Sequence, residues 1–343
     1  MNLKLASEKL VVDDSIESIN NLFIEKGWSD GLPIIPPTEQ AVEKMILGTK
    51  RNPSDVVANI PPCWGEATVE KIAINAVMAG CLPEYMPLIV TVVEAMAEER
   101  FRLAEIQPTT HPVAPLIIVN GPIVNQLHIN SKSGAFGPCW RANATIGRAI
   151  RLILLNIGGA LPGKLDLSPQ GQPSKYTYCI AENEEDSPWE PLHVEKGFNA
   201  LTSTVTMVAA ENPHNINDTI AITGEEMLIS ICNAVMTTGS NNVLFQEGSP
   251  VIALCPEHAA TIAADGFSKN DVRSYIYEKG RIPLKRFYKR AIEKHFSDWD
   301  DNALVPLTAH KEDIIIIVVG GPGKHSAYLP AFLPPSITKA IGE

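Results

Sequence analysis

Four short apolar runs constrain this chain more than any other feature: residues 116–119, 204–208, 251–254 and 314–319. Short apolar runs bounded by turn formers are the pattern of strands buried on both faces. Each one leads into a proline turn and then a histidine. The turns are Asn120-Gly-Pro122 with His128, Glu211-Asn-Pro-His214, Cys255-Pro-Glu-His258 and Gly320-Gly-Pro-Gly-Lys-His325. Between the runs lie segments with apolar residues at helical spacing. The expected fold is therefore α/β, a mixed sheet with helices on its faces. Open α/β sheets place ligands at the carboxyl ends of their strands, so several of these histidines are expected to line one pocket.

The stretch 134–159 carries the sharpest local pattern. Gly134, Gly137 and Pro138 make a loop, and Ile146, Ala149, Ile150, Ile153, Leu154 and Ile157 form one apolar helix face. Thr145 or Asn143 can cap this helix, and Gly158-Gly159 stop it. Arg141 and Asn143 would then stand before a helix N-terminus, where free N–H groups and the dipole favour an anion. Pro62-Cys-Trp-Gly-Glu-Ala-Thr-Val69 repeats the Pro-Cys-Trp of 138–140, and Asn233-Ala-Val-Met236 echoes Asn75-Ala-Val-Met78 more weakly. These echoes suggest an internal pseudo-repeat, with Cys63 and Cys139 near its centre. The expected organisation is an N-terminal helical and extended segment, 1–60, and an α/β body, 61–343. Its halves, about 61–165 and 200–343, would be joined by a polar loop, 166–199.

A chain of 343 residues with net charge −11 and no basic block argues against nucleic acid or an anionic membrane as main partner. No uncharged stretch is long enough to span a bilayer. The start has no apolar signal run, and the six cysteines include no C-x-x-C. A cytoplasmic protein with reduced thiols is expected, with a homo-oligomeric assembly.

The candidate chemistry falls into three groups. Glu182, Glu184 and His193 lie in a polar, proline-rich stretch, where Glu184 could orient His193 for acid–base work; His111 is the second acid–base candidate. Cys139, before a helix, is a candidate nucleophile. Arg141, Asn143, Lys175 and Lys324 are candidate binders of an anionic substrate. His214, Cys255, His258 and His325 could together hold zinc or iron. The segment 314–326 has a strand, a glycine turn and Lys324, yet it is not G-x-x-x-x-G-K-[ST], so nucleotide hydrolysis is not expected.

The stretches Ser29-Asp-Gly-Leu-Pro-Ile-Ile-Pro-Pro-Thr38, Thr110-His-Pro-Val-Ala-Pro115, Trp140-Arg-Ala-Asn-Ala-Thr-Ile-Gly-Arg148 and 181–193 resemble a bacterial family of about this length. That family is associated with proteins carrying a UGSC motif (selenocysteine or cysteine, then Gly-Ser-Cys). The chain itself has no Cys-Gly-Ser-Cys. The resemblance implies a thiol or selenol partner subunit and transfers no catalytic residue. The expectation is an enzyme that cleaves or reduces a carbon–heteroatom bond in a small anionic molecule. The alternatives are a metal-dependent hydrolase or hydratase, and a non-catalytic binding or scaffold subunit.

Overall fold

The computed structural model describes residues 3–342. Helices α1 (Ile16–Glu25) and α2 (Glu39–Ile46) are capped by Ser15 and Thr38, whose hydroxyls accept from Ser18 N and Ala41 N. A hairpin, β1 (Val56–Ile60) and β2 (Gly65–Thr68), leads into α3 (Val69–Ala79), capped by Thr68. Then come α4 (Met86–Met96), β3 (Ala114–Asn120), α5 (Arg141–Asn156), β4 (Cys179–Ala181), α6 (Leu192–Glu195), β5 (Thr204–Ala210) and β6 (His214–Asn217). The chain continues through α7 (Gly224–Val235), β7 (Val251–Leu254), α8 (Pro256–Ala264), α9 (Lys269–Lys279), β8 (Ile315–Val318), β9 (His325–Leu329) and β10 (Ile337–Ala340). All four apolar runs are strands.

The strands form two mixed four-stranded sheets, ordered β10-β5-β3-β4 and β8-β7-β9-β6, beside two small two-stranded sheets, one of them the β1–β2 hairpin. Alternation along each strand sorts its side chains into layers. Ile117, Val119, Val205 and Met207 join the core under α3, α4 and α5. Leu116, Ile118, Val208, Val251, Ala253, Ile315 and Ile317 fill a second core between the two sheets. Ile252, Leu254, Ile316 and Val318 pack under α7, α8 and α9. The protein is thus four layers deep, helices–sheet–sheet–helices. The runs are continuous because both faces of each strand are covered.

The two sheets repeat one plan. In the first, β3 pairs parallel with β4 and antiparallel with β5. In the second, β7 pairs parallel with β8 and antiparallel with β9. The strand after each third strand crosses to the other sheet: β6 pairs with β9, and β10 with β5. This exchange ties the units together, and the boundaries expected at 165 and 200 do not match them. The stretch 166–199 is not a linker, since it supplies β4 and α6. Helices α3 and α7 hold equivalent places before β3 and β7, so the weak Asn-Ala-Val-Met echo follows the repeat.

The Pro-Cys-Trp pair does not follow it. β2 separates Cys63 from α3, so Cys63 is not at a helix start. Its N–H donates to Gly158 O at the far end of α5 (2.9 Å), whereas Cys139 precedes the start of α5. A sixteen-residue helix puts the two about 24 Å apart. A Cβ on Gly159 (φ +74°) would sit 2.5 Å from Cys63 Sγ, which explains why glycine is needed there.

Residues 3–12 form an extended strap over α2 and α3. Buried Glu70 clasps it, accepting from Ala6 N and Ser7 N, both at 2.8 Å. Beneath lies a cleft of about 740 Å³, walled mainly by apolar side chains such as Leu5, Phe23, Ile74 and Met78. Burial pushes the Glu70 carboxyl up, but the strap N–H groups outweigh it and hold it below the usual range. A depressed folded-state pKa means that the clasp is complete above the ordinary carboxylate pKa and is lost as pH falls through the lower value. Glu70→Gln is expected to weaken the clasp by about 1.5–3 kcal/mol. Hydrogen exchange at Ala6 and Ser7 should then rise in the variant at pH 7 and in the parent only on acidification. Unchanged protection in the variant would show that the clasp does not hold the strap.

Candidate functional site

Strand direction decides which candidates can meet. β3, β4, β7 and β8 all finish at one end of the sandwich: Asn183 N donates to Val318 O (2.8 Å), and Gly320 N to Ser131 O (2.8 Å). β5 runs against β3, so its Glu211-Asn-Pro-His214 turn lies at the opposite end. Glu211 N there bonds Pro330 O, beyond the last residue of β9, at 2.8 Å. His111 belongs to that opposite end too. Its Nε2 lies 2.9 Å from Glu211 Oε1, and its ring stacks on Phe332 with centroids 4.3 Å apart. The seven residues of β3 separate the ends by about 20 Å. His111 and His193 therefore cannot serve one site.

At the shared carboxyl end the chain assembles a buried polar cluster. Asn120 is the last residue of β3 and faces the layer between the sheets, as does Thr204, its partner across the ladder. Gly121 (φ +85°) turns the chain so closely past Thr202 that a Cβ would lie 2.6 Å from its carbonyl oxygen. The turn aims Gly121 N at Glu184 Oε1 (2.7 Å), and Asn120 Nδ2 donates to the same oxygen (2.9 Å). His193 Nδ1 stands 3.8 Å from Glu184 Oε1. The fold thus brings Glu184 and His193 together without a hydrogen bond between them.

The tautomer of His193 follows from its other contact. Nε2 lies 3.3 Å from Ala200 O, which can only accept, so Nε2 carries the hydrogen. In the neutral ring Nδ1 is then a bare lone pair facing a carboxylate. His193 Nδ1, Asn120 Oδ1 and Thr204 Oγ1 are all shielded and without a protein partner. Buried polar atoms are normally hydrogen-bonded, so the cluster calls for a small guest that can donate hydrogen bonds. Glu184, 28% exposed, connects it to the surface.

Behind this cluster is a buried ionic network. Glu182 Oε2 accepts from Asn120 Nδ2 and Leu192 N, both at 2.7 Å. Lys269, from α9, lies 3.4 Å from Glu182 Oε1 and donates to Glu190 O at 2.9 Å. Burial pushes the Glu182 carboxyl up, opposed by Lys269 and these donors. Glu195 pairs with both Lys269 and Arg273, and Arg273 Nε reaches Ile314 O (2.9 Å). The network pins α6 and α9 to the strand ends.

The expected metal set does not converge. Among the described residues no three of His, Cys, Asp and Glu are grouped so as to hold a metal ion. His214 and His325 are exposed on the paired strands β6 and β9, with His325 Nδ1 3.0 Å from Asn215 Oδ1. His258 is turned inward with both nitrogens in use: Nε2 donates to Asp218 O (3.0 Å) and Nδ1 meets Ser326 Oγ (2.7 Å). Burial pushes the Cys255 thiol up, but the ring and N–H of His258 outweigh it and the thiol ends below its usual range.

The anion-binding candidates are dispersed. Helix α5 starts at Arg141, not after Asn143, because Thr145 turns its hydroxyl back to Arg141 O (2.8 Å) instead of capping. Arg141 applies its fork to Gly80 O at the end of α3 (3.0 and 3.1 Å). Asn143 is buried and exchanges hydrogen bonds with Asn130 N and O (2.8 and 2.9 Å). Cys139 is exposed, with φ +85°. Lys175 lies at the opposite end, bound to Asp166 (2.6 Å). Lys324 stays near the carboxyl end, in the loop after β8, with Nζ 3.4 Å from Thr219 O.

Sequence reading missed Asn120, Thr204 and Lys269. A polar residue closing or opening an apolar run was the available signal for the first two. Lys269 comes from a distant segment, and no local pattern marks it. No helix among the described residues is long and apolar enough to cross a membrane. Compared with protein-family models and with curated proteins, the chain matches none.

Proposed function

We propose that this protein is an enzyme that removes a proton from a small organic molecule at the shared carboxyl end of its strands and so cleaves a carbon–heteroatom bond. One observation carries the reading: a fully buried imidazole whose Nδ1 has no hydrogen-bond partner, 3.8 Å from a carboxylate and in one cluster with two further unpartnered polar atoms. His193 Nδ1 takes the proton, and Glu184 supports the imidazolium that forms. The heteroatom leaves with the bonding electron pair and regains the proton from His193, so the elimination is neutral overall. Asn120 and Thr204 orient the guest. Lys324 is the candidate at this end for an anionic group on it. A reductive version would draw its electrons from a thiol or selenol subunit of the kind that the family resemblance implies.

The test is hydrogen exchange in D₂O, followed by NMR, with a panel of small hydroxy-, amino- and halo-carboxylates. The expected result is deuterium uptake next to the carboxylate, or an unsaturated product, in at least one class. Saturable binding without exchange or product would instead indicate a binding subunit.

A further inference from the structure

At the end of the sandwich opposite the proposed active site, two cations share one carboxylate. Asp166, buried, accepts from Lys175 Nζ at 2.6 Å and from Arg151 at 3.2 Å through the same oxygen, Oδ2. Its other oxygen accepts from Ser168 N (3.2 Å). The three side chains carry a net charge of +1. Burial pulls both cations down from their ordinary pKa values, opposed by Asp166. The nearby carboxylate of Glu211 is turned to His111 and does not supply the missing charge.

Arg151 is 9% exposed, yet its one side-chain hydrogen bond among the described residues is the bond to Asp166. A guanidinium has five N–H donors, and none of the remaining nitrogens of Arg151 is sealed from the surroundings. Arg151 and Lys175 both line a small half-open hollow of about 10 Å³, walled also by Ala114, Pro115, Gly147, Ser174 and Tyr178. That is the room needed by one water-sized body. Tyr178 joins this hollow to the His111–Glu211 pair, because its hydroxyl donates to Glu211 O (2.7 Å).

We infer that Arg151 and Lys175 form a binding site for one small anion, either a halide or one oxygen of a small carboxylate whose remainder stands in the open mouth, between α5 and the starts of β3 and β4. A buried cation is stable when paired, and an anion in the hollow would supply the negative charge that Asp166 alone does not provide for two cations. The site is separate from the Glu184–His193 cluster, so it does not depend on the functional reading of that end.

The experiment is calorimetric titration of the full-length protein with sodium chloride and with sodium formate. Thermal unfolding is followed in parallel, for the parent, Arg151→Met and Lys175→Met. The expected result is saturable 1:1 binding of at least one anion and a midpoint raised by several degrees, both lost in Arg151→Met and weakened at least tenfold in Lys175→Met. Formate binding at least tenfold tighter than chloride assigns the site to a carboxylate head, and the reverse order assigns it to a halide. Absence of saturable binding of both anions to the parent overturns the inference, even if a variant fails to fold. So does a thermal effect that persists unchanged in both folded variants.

Discussion

Replacing Lys269 with methionine is expected to destabilise the protein by about 3–5 kcal/mol at pH 8, the usual cost of stranding a buried charge. Lys269 is the cation closest to Glu182, at 3.4 Å, and both side chains are buried. The cost should depend on pH in a defined direction. Burial holds the Glu182 carboxyl above its unfolded pKa, so the folded state takes up a proton more readily than the unfolded state. The penalty of an unpaired carboxylate is then complete at high pH and shrinks as pH falls through the folded value. Glu182→Gln, which imitates the protonated form, should be far milder, and Glu182→Gln/Lys269→Met should recover more than half of the loss. Urea unfolding at pH 8 and pH 5 measures all four proteins. A cost below about 1 kcal/mol for Lys269→Met would place the pair with ordinary surface ion pairs and contradict the buried network.

The second large effect concerns turnover. For any substrate that exchanges or eliminates with the parent, His193→Gln and Glu184→Gln are each expected to slow the reaction about 10²- to 10⁴-fold, the range for positioned acid–base groups. His193→Gln removes the bare nitrogen. Glu184→Gln keeps the shape but puts a neutral amide beside the developing imidazolium. Asn120→Asp should harm the site differently, by setting a third carboxylate against Glu182 and Glu184, with which its amide now bonds at 2.7 and 2.9 Å. His111→Gln should leave the rate within about threefold, since His111 lies at the other end of β3, about 20 Å away. If His111→Gln abolishes turnover and His193→Gln does not, the active end has been assigned wrongly.

The architecture was legible where the physics is local. The apolar runs declared doubly covered strands, and the apolar face 146–157 declared the helix that the structure shows at Arg141–Asn156. What escaped was long-range. β4 is three residues inside a polar stretch, too short for any periodicity, and only its pairing with β3 makes it a strand. Strand direction is not written in an apolar run, so four proline turns that look equivalent in sequence divide between opposite ends. This is why His214 and His111 parted from His193. The anion-binding candidates show the same limit. Arg141 and Asn143 stand in a sequence context that suits an anion, but backbone groups at Gly80 and Asn130 claimed them first. Arg151 read as one more polar residue on a helix. Its meaning came only from Asp166 and Lys175, which fold onto it from the following loop.

The most direct test of the proposed site is the protonation of His193 itself, read from imidazole nitrogen shifts in histidine-labelled protein at neutral to mildly alkaline pH, with His193→Gln to assign the signals. The expected result is hydrogen on Nε2, bonded to Ala200 O, with Nδ1 free toward Glu184. A ring with hydrogen held on Nδ1 under those conditions would contradict it, because the site would then hold no base.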